Sequence, residues 1–343
     1  MFGALRLILA FLIIIEHLKF FEYHLGATAL MGFYMLSGYV TAYAFERHFS
    51  GERRDVMKFY ADRMMRIYPS YVLAVIIITG FFAIALPERS SISISKFALN
   101  ILLLPLNFHM FIGHENLAMV SNNMPVPYAK SLALILEFYL IAPLIMIFFK
   151  RRIWLLAVPS VLVFALASTG VIDSYIYGYI LMPGTLYVFL IGTLLYFIRS
   201  GQDVTLNFRT LAAILLLLGF WAVYLFVNDE FGRPHVLEVM AGAFIFPPII
   251  YGLSFLRRDY KADAIMGALS YPVFILQWFS LWLVTYAYMQ FDIPQLRDKI
   301  IFSIVSSLVC LFVSAAVFLP FEAMVQGMRR KLKRRAGYGQ EEA

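Results

Sequence analysis

Ten stretches of this 343-residue chain stay apolar for about 18 residues or more, the length an α-helix needs to cross a bilayer's hydrocarbon. They lie at 2–21, 26–45, 67–87, 128–149, 153–171, 181–198, 210–227, 237–256, 265–290 and 299–319. In hydrocarbon every backbone N–H and C=O must be bonded within its own segment, so each run is driven into a helix. Composition agrees: 62% of residues are hydrophobic and 14% charged, far from the balance of a water-soluble domain. The expected fold is an all-α integral membrane protein of about ten transmembrane helices.

Charge between the runs gives the chain a direction. Lys and Arg number six in 46–66, three in 150–152, two in 199–209, three in 257–261 and six after 320. The alternate loops carry scattered cations such as Arg89, Lys96, Arg233 and Arg297. By the positive-inside bias the rich loops and both termini are expected in the cytoplasm. The net charge of +7 is thus explained by topology, and no nucleic-acid partner is expected. An eleventh run, 96–112, is broken by Pro105, Asn107 and His109. Its flanking spans already use both crossings the charges allow, so it is expected to be re-entrant or to lie on the outer face. The first run lacks a small-residue cleavage site and ends in Glu-His-Leu-Lys, unlike a signal peptide. The tail FEAMVQGMRRKLKRR reads as a basic amphipathic helix for the anionic inner leaflet, or simply as a topology anchor. A lone Cys310 excludes an intrachain disulfide framework.

Ionisable groups inside spans are the informative residues, because each costs about 2.5 kcal/mol or more at the bilayer centre. Arg6 and His17 are eleven positions apart, which returns them to one helical face about 16 Å apart along the axis. Arg6 could instead snorkel to the inner headgroups, and His17 could reach the outer interface. Glu137, in SLALILEFYLIAP, is expected at a depth close to that of His17. It needs a cation or a hydroxyl between helices. Gln277, in LSYPVFILQWFSLW, falls near the midplane as well. Arg63 and Arg66 are neighbours on one face at the inner boundary, fit to grip phosphates bidentately, although such pairs also serve as topology signals or lipid contacts. His24, His109 and His114 fall at irregular spacing in outer segments, where solvation is the ordinary fate, and no metal site is expected.

Five stretches in order resemble acyltransferase family 3, the integral membrane O-acyltransferases. They are the Arg6–His17 pair, GFYMLSGYVTA (32–42), RMMRIYPSY (63–71), SLALILEFYLIAPL (131–144) and MGALSYPVFILQW (266–278). The late family block ends in histidine where this chain has Gln277, which can hydrogen-bond but cannot shuttle a proton. The resemblance implies a membrane-embedded acyltransferase domain over 1–320 and a basic cytoplasmic tail over 321–343. It implies transfer of an acyl group, commonly acetyl, from cytoplasmic acyl-CoA (acetyl-CoA as co-substrate, with no permanently bound cofactor) to a hydroxyl of a cell-envelope polysaccharide or lipid-linked sugar. His17 would act as base or acyl carrier, supported by Arg6 and Glu137. Arg63 and Arg66 would bind the coenzyme, and Gln277 and Ser37 the substrate or oxyanion. The expected location is a bacterial inner membrane, among membrane lipids. The competing reading is a transporter or flippase of an envelope glycolipid, which would use the same intramembrane charges but ordinarily carries paired broken helices in inverted repeats. A scaffold of an envelope-synthesis complex needs no buried His or Glu.

Overall fold

The computed structural model describes residues 2–17, 23–48, 53–256 and 261–335. Among them the chain is helical almost throughout, with no strand and only isolated bridges around Val120. In chain order the helices are α1 (Gly3–His17), α2 (Leu25–His48), α3 (Arg53–Ala85), α4 (Ile94–Leu102), α5 (Leu104–Asn107), α6 (His109–Ile112) and α7 (Ala129–Leu144). Then follow α8 (Trp154–Ser168), α9 (Met182–Arg199), α10 (Val204–Val227), α11 (Val236–Leu253), α12 (Lys261–Phe291), α13 (Lys299–Val313) and α14 (Leu319–Arg335). Single π-helical turns follow α7, precede α9 and join α13 to α14.

Among the described residues eight helices are long and apolar enough to cross a membrane, and they match eight of the ten expected spans. The other two, α1 and α8, hold 15 residues each as described. The 96–112 run does not make one helix. Leu103, at φ +66°, ends α4 and Gly113, at φ +91°, ends α6, leaving three pieces too short to span. Buried Asn100 fastens them, its amide donating to the carbonyls of Lys96 and Leu117 at 2.9 Å. Where a loop was expected at 46–66, α2 instead runs to His48 and α3 starts at Arg53. Asp55 in the first turn of α3 favours the helix dipole and pairs with Lys58 at 3.0 Å, which carries the helix beyond its apolar part. The expected tail after 320 begins inside α14.

The described helices fall into two compact units. The first holds α2, the first turns of α3, most of α7, and α8 to α11. Its axis is the pair α2 and α9. Side chains there would collide with backbone: a Cβ on Gly38 would strike the Phe189 carbonyl, and one on Gly192 the Met35 carbonyl. Glycine lets the two backbones touch, the ordinary device for helix contact in lipid. Phe189 is sandwiched between Tyr34 of α2 and Phe138 of α7, with ring centroids 4.9 and 4.5 Å apart. At one end of this unit Glu46 gathers Lys150 at 2.8 Å and Gln202 at 3.1 Å. Glu46 thus ties the C-terminal end of α2 to the connections before α8 and after α9.

The second unit holds α1, the rest of α3, α4 to α6, and α12 to α14. Gly3 and Gly267 bring α1 against α12, and the Ala4 N–H donates to the Asp263 carboxylate at 3.0 Å. Because α12 begins at Lys261, only six residues before Gly267, an α1 packed along it must run towards higher residue numbers. The two helices are parallel. Helix α3 meets α12 through the Tyr271 hydroxyl, which donates to the Ile67 carbonyl at 2.8 Å, and through Phe82 stacked on Trp278. The Cys310 thiol of α13 donates to the Val273 carbonyl of α12 at 3.5 Å.

Candidate functional site

The pairing of α1 with α12 sets the site. Arg6 sits half-buried one turn into α1, and ten residues of unbroken helix separate it from His17, the last residue of α1. The side chain of His17 lies outside the described residues; its backbone does not. His17 is fourteen residues beyond Gly3, and Gln277 is fourteen beyond Asp263, so two parallel helices joined at Gly3 and Asp263 carry both residues to one level, about 21 Å up. There the Gln277 side chain is 1% exposed, and neither its amide oxygen nor its nitrogen has a hydrogen-bond partner among the described residues. A buried amide left so costs about 1–3 kcal/mol for each unmet group. One turn on, the Ser280 hydroxyl is taken up by the Gln277 carbonyl at 2.7 Å.

The arginines lie in the same unit. Arg63 is 2% exposed and stands 3.8 Å from the Asp62 carboxylate, which also accepts from Arg329 of α14 at 2.8 Å. Arg66 follows one turn on, half-buried. Ser70, a further turn along, donates to Glu322 of α14. Residues 62, 66 and 70 thus form a polar stripe of α3 that meets acid and base seven residues apart on α14. The seam was not foreseen from sequence, although the 322/329 spacing on a helix that was expected to lie in the leaflet carried the signal.

Two of the expected site residues belong to the other unit. Ser37 is half-buried on α2, one turn from Tyr34, and Glu137 is half-buried on α7 beside Phe138. The Tyr34–Phe189–Phe138 stack brings these two helices onto α9. The structure therefore groups Arg6, His17, Arg63, Arg66 and Gln277 in one unit, with Ser37 and Glu137 in the other.

A family model described as an acyltransferase domain matches residues 2–319, nearly the whole chain, including Arg6, His17, Ser37, Arg63, Arg66, Glu137 and Gln277. The chain belongs to acyltransferase family 3. The acyltransferase is also 26% identical over 209 residues to an uncharacterised protein of Aquifex aeolicus (strain VF5), an alignment that covers 61% of this chain and 89% of that one. No solved structure matches it.

The acyltransferase departs from the sequence reading at its histidines. His109 is not solvated: its Nδ1 is buried, and burial, with the Lys130 ammonium adding to it, pushes its pKa down to about 4. His114 is tied by Nε2 to the Asn122 carbonyl at 2.9 Å. His24 is exposed, yet its ring stands 5.1 Å from that of His235, a residue that sequence alone did not single out. Only the positive φ of His235, 62°, marks it as unusual, and no motif announces that.

Proposed function

We propose that this acyltransferase moves an acetyl or similar acyl group from a cytoplasmic thioester, coenzyme A being the donor, to a hydroxyl of an envelope glycan or lipid-linked sugar in a bacterial inner membrane. Ten spans with both termini in the cytoplasm would carry Arg63 and Arg66 to the donor side. The observation that supports this reading best is the shared level of His17 and Gln277 on parallel, touching helices of a family member.

Acyl transfer needs a base for the acceptor hydroxyl and a donor for the tetrahedral oxyanion. His17 takes the proton as the hydroxyl oxygen attacks the thioester carbonyl. The negative charge forms on the carbonyl oxygen, where the Gln277 N–H can meet it. As the C–S bond breaks, the imidazolium returns its proton to the leaving sulfur. Glutamine at 277 fits this division of labour, since it donates without titrating and leaves proton transfer to His17. Arg6 lies on the His17 side of α1, and its charge lies about 16 Å nearer the donor entry. Arg63 and Arg66 supply the guanidinium pair for the coenzyme phosphates. Glu137 and Ser37 are assigned to acceptor positioning.

The test incubates membranes with labelled acetyl-CoA and envelope glycolipid. Wild type is expected to label the glycolipid, and His17→Ala to lose about 10²–10⁴-fold in rate. Membranes that move glycolipid across the bilayer but transfer no label would establish a flippase instead. Arg63→Ala with Arg66→Ala should raise KM for the coenzyme and spare that for the acceptor; equal loss for both contradicts a coenzyme site.

A further inference from the structure

The end of the first unit opposite Glu46 holds a cluster that the proposed chemistry does not use. Three connections converge there, ahead of α2, α9 and α11. Tyr179 and His235 are stacked with centroids 4.3 Å apart; Tyr175 stands 5.6 Å from His235, and His24 stands 5.1 Å from it on the α2 connection. The four rings form a ladder whose outer members, Tyr175 and His24, are exposed. Beneath it Glu238 is buried, within 3.4 Å of the His24 backbone N–H, and Thr28 donates to the Glu238 carbonyl at 3.3 Å.

Packing alone does not account for this arrangement. His235 is held at φ +62°, a left-handed conformation that costs a non-glycine residue about 1 kcal/mol or more. Its Nδ1 is buried with no hydrogen-bond partner among the described residues. Burial pushes the imidazole's pKa down, with Glu238 opposing the shift and His24 adding to it. The ring is therefore neutral at neutral pH, with one nitrogen to donate and one to accept. Two phenols, a neutral imidazole and a carboxylate suit an uncharged polyol; a phosphate or carboxylate ligand would meet the Glu238 carboxylate, whereas the nearby Arg233 is paired with Glu230 at 2.6 Å.

We propose that this ladder is a subsite for a sugar ring of the acceptor, whose C–H face stacks on Tyr175 and whose hydroxyls bond to His235. Aromatic faces are electron-rich, and pyranose C–H groups complement them while the polar rim finds donors and acceptors beside the stack. The proposal rests on the reading of the acceptor as a glycan, and it names the residues that would hold it.

The test uses the full chain in lipid nanodiscs and saturation-transfer NMR with methyl glycosides of glucose, galactose, mannose and N-acetylglucosamine. Transfer to the ring protons of at least one glycoside is expected. Tyr175→Ala should abolish it, Tyr175→Phe keep it and His235→Ala reduce it several-fold. Trp154→Ala, an exposed aromatic at the far end of the unit, should leave it unchanged. No transfer to any of the four, or equal transfer in Tyr175→Ala with an unchanged melting temperature, overturns the subsite. Thioester consumption in the presence of envelope glycolipid is followed on parallel samples. Sugar binding without it would sink the transfer reading and leave the subsite standing; consumption without sugar binding would sink the subsite alone.

Discussion

Two helix pairs in this molecule use the same packing device for different ends. Both α2–α9 and α1–α12 meet at glycines where any side chain would strike backbone. Around Gly38 and Gly192 the contacts are mainly apolar: aromatic rings stack, and the Thr193 hydroxyl reaches the Phe189 carbonyl at 3.2 Å, while the Thr41 and Tyr187 hydroxyls are buried with no hydrogen-bond partner among the described residues. Beside Gly3 and Gly267 the same closeness carries Arg6, His17 and an amide with no partner among the described residues. The buried Gln277 amide costs stability, and a polar group inside a span is usually retained for pairing or function. The mainly apolar α2–α9 seam is scaffold.

The largest effect expected from this contrast is in the scaffold. Gly192→Leu forces a side chain into the Met35 carbonyl, at a cost of about 3 kcal/mol or more, and size-exclusion chromatography should recover no monodisperse protein. A well-folded variant would show that the α2–α9 contact is looser than described.

Asp62→Asn comes next. It removes the carboxylate that Arg329 bonds and Arg63 approaches, leaving cations in a largely buried seam, at about 3 kcal/mol. The melting temperature should fall, and Arg329→Met in the same chain should restore part of the loss. Additive losses would mean that the two residues do not interact.

Gln277→Met separates stability from activity. Replacing an unsatisfied buried amide by an apolar side chain of similar length should raise the melting temperature, worth about 1 kcal/mol, while transfer falls about 10²-fold. A lower melting temperature with full activity would make Gln277 a packing residue.

The effect confined to acid pH belongs to His109. Its folded pKa, about 4, lies below the unfolded value of 6.5, so between those values the unfolded chain binds the extra proton. Stability present above pH 6.5 should be lost as pH falls towards 4, and His109→Gln should flatten that part of a melting profile. An unchanged slope would mean that the ring is solvated after all.

Much of this was legible from sequence because hydrocarbon leaves the backbone so few choices. Eight runs became helices of spanning length, and the 96–112 run broke near Pro105 and Asn107 as its polar residues required. Gln277 stood out because an amide at mid-span is costly whatever its surroundings, and burial without a partner is what the structure gives it. Pairings across long separations were not legible. Nothing local ties Asp62 to Arg329, 267 residues away, or His24 to His235. Helix ends were misjudged where charged residues extend a helix past its apolar part, as at Arg53.

The parallel α1–α12 pair carries the backbones of His17 and Gln277 to one level. Cysteines at both positions, in a chain whose buried Cys310 is replaced by alanine, can be probed with a short bis-methanethiosulfonate reagent in native membranes. The parallel register predicts efficient crosslinking of His17→Cys with Gln277→Cys, and none of His17→Cys with Tyr288→Cys, eleven residues or about 16 Å further along α12. Crosslinking to position 288 with none to 277 would contradict it.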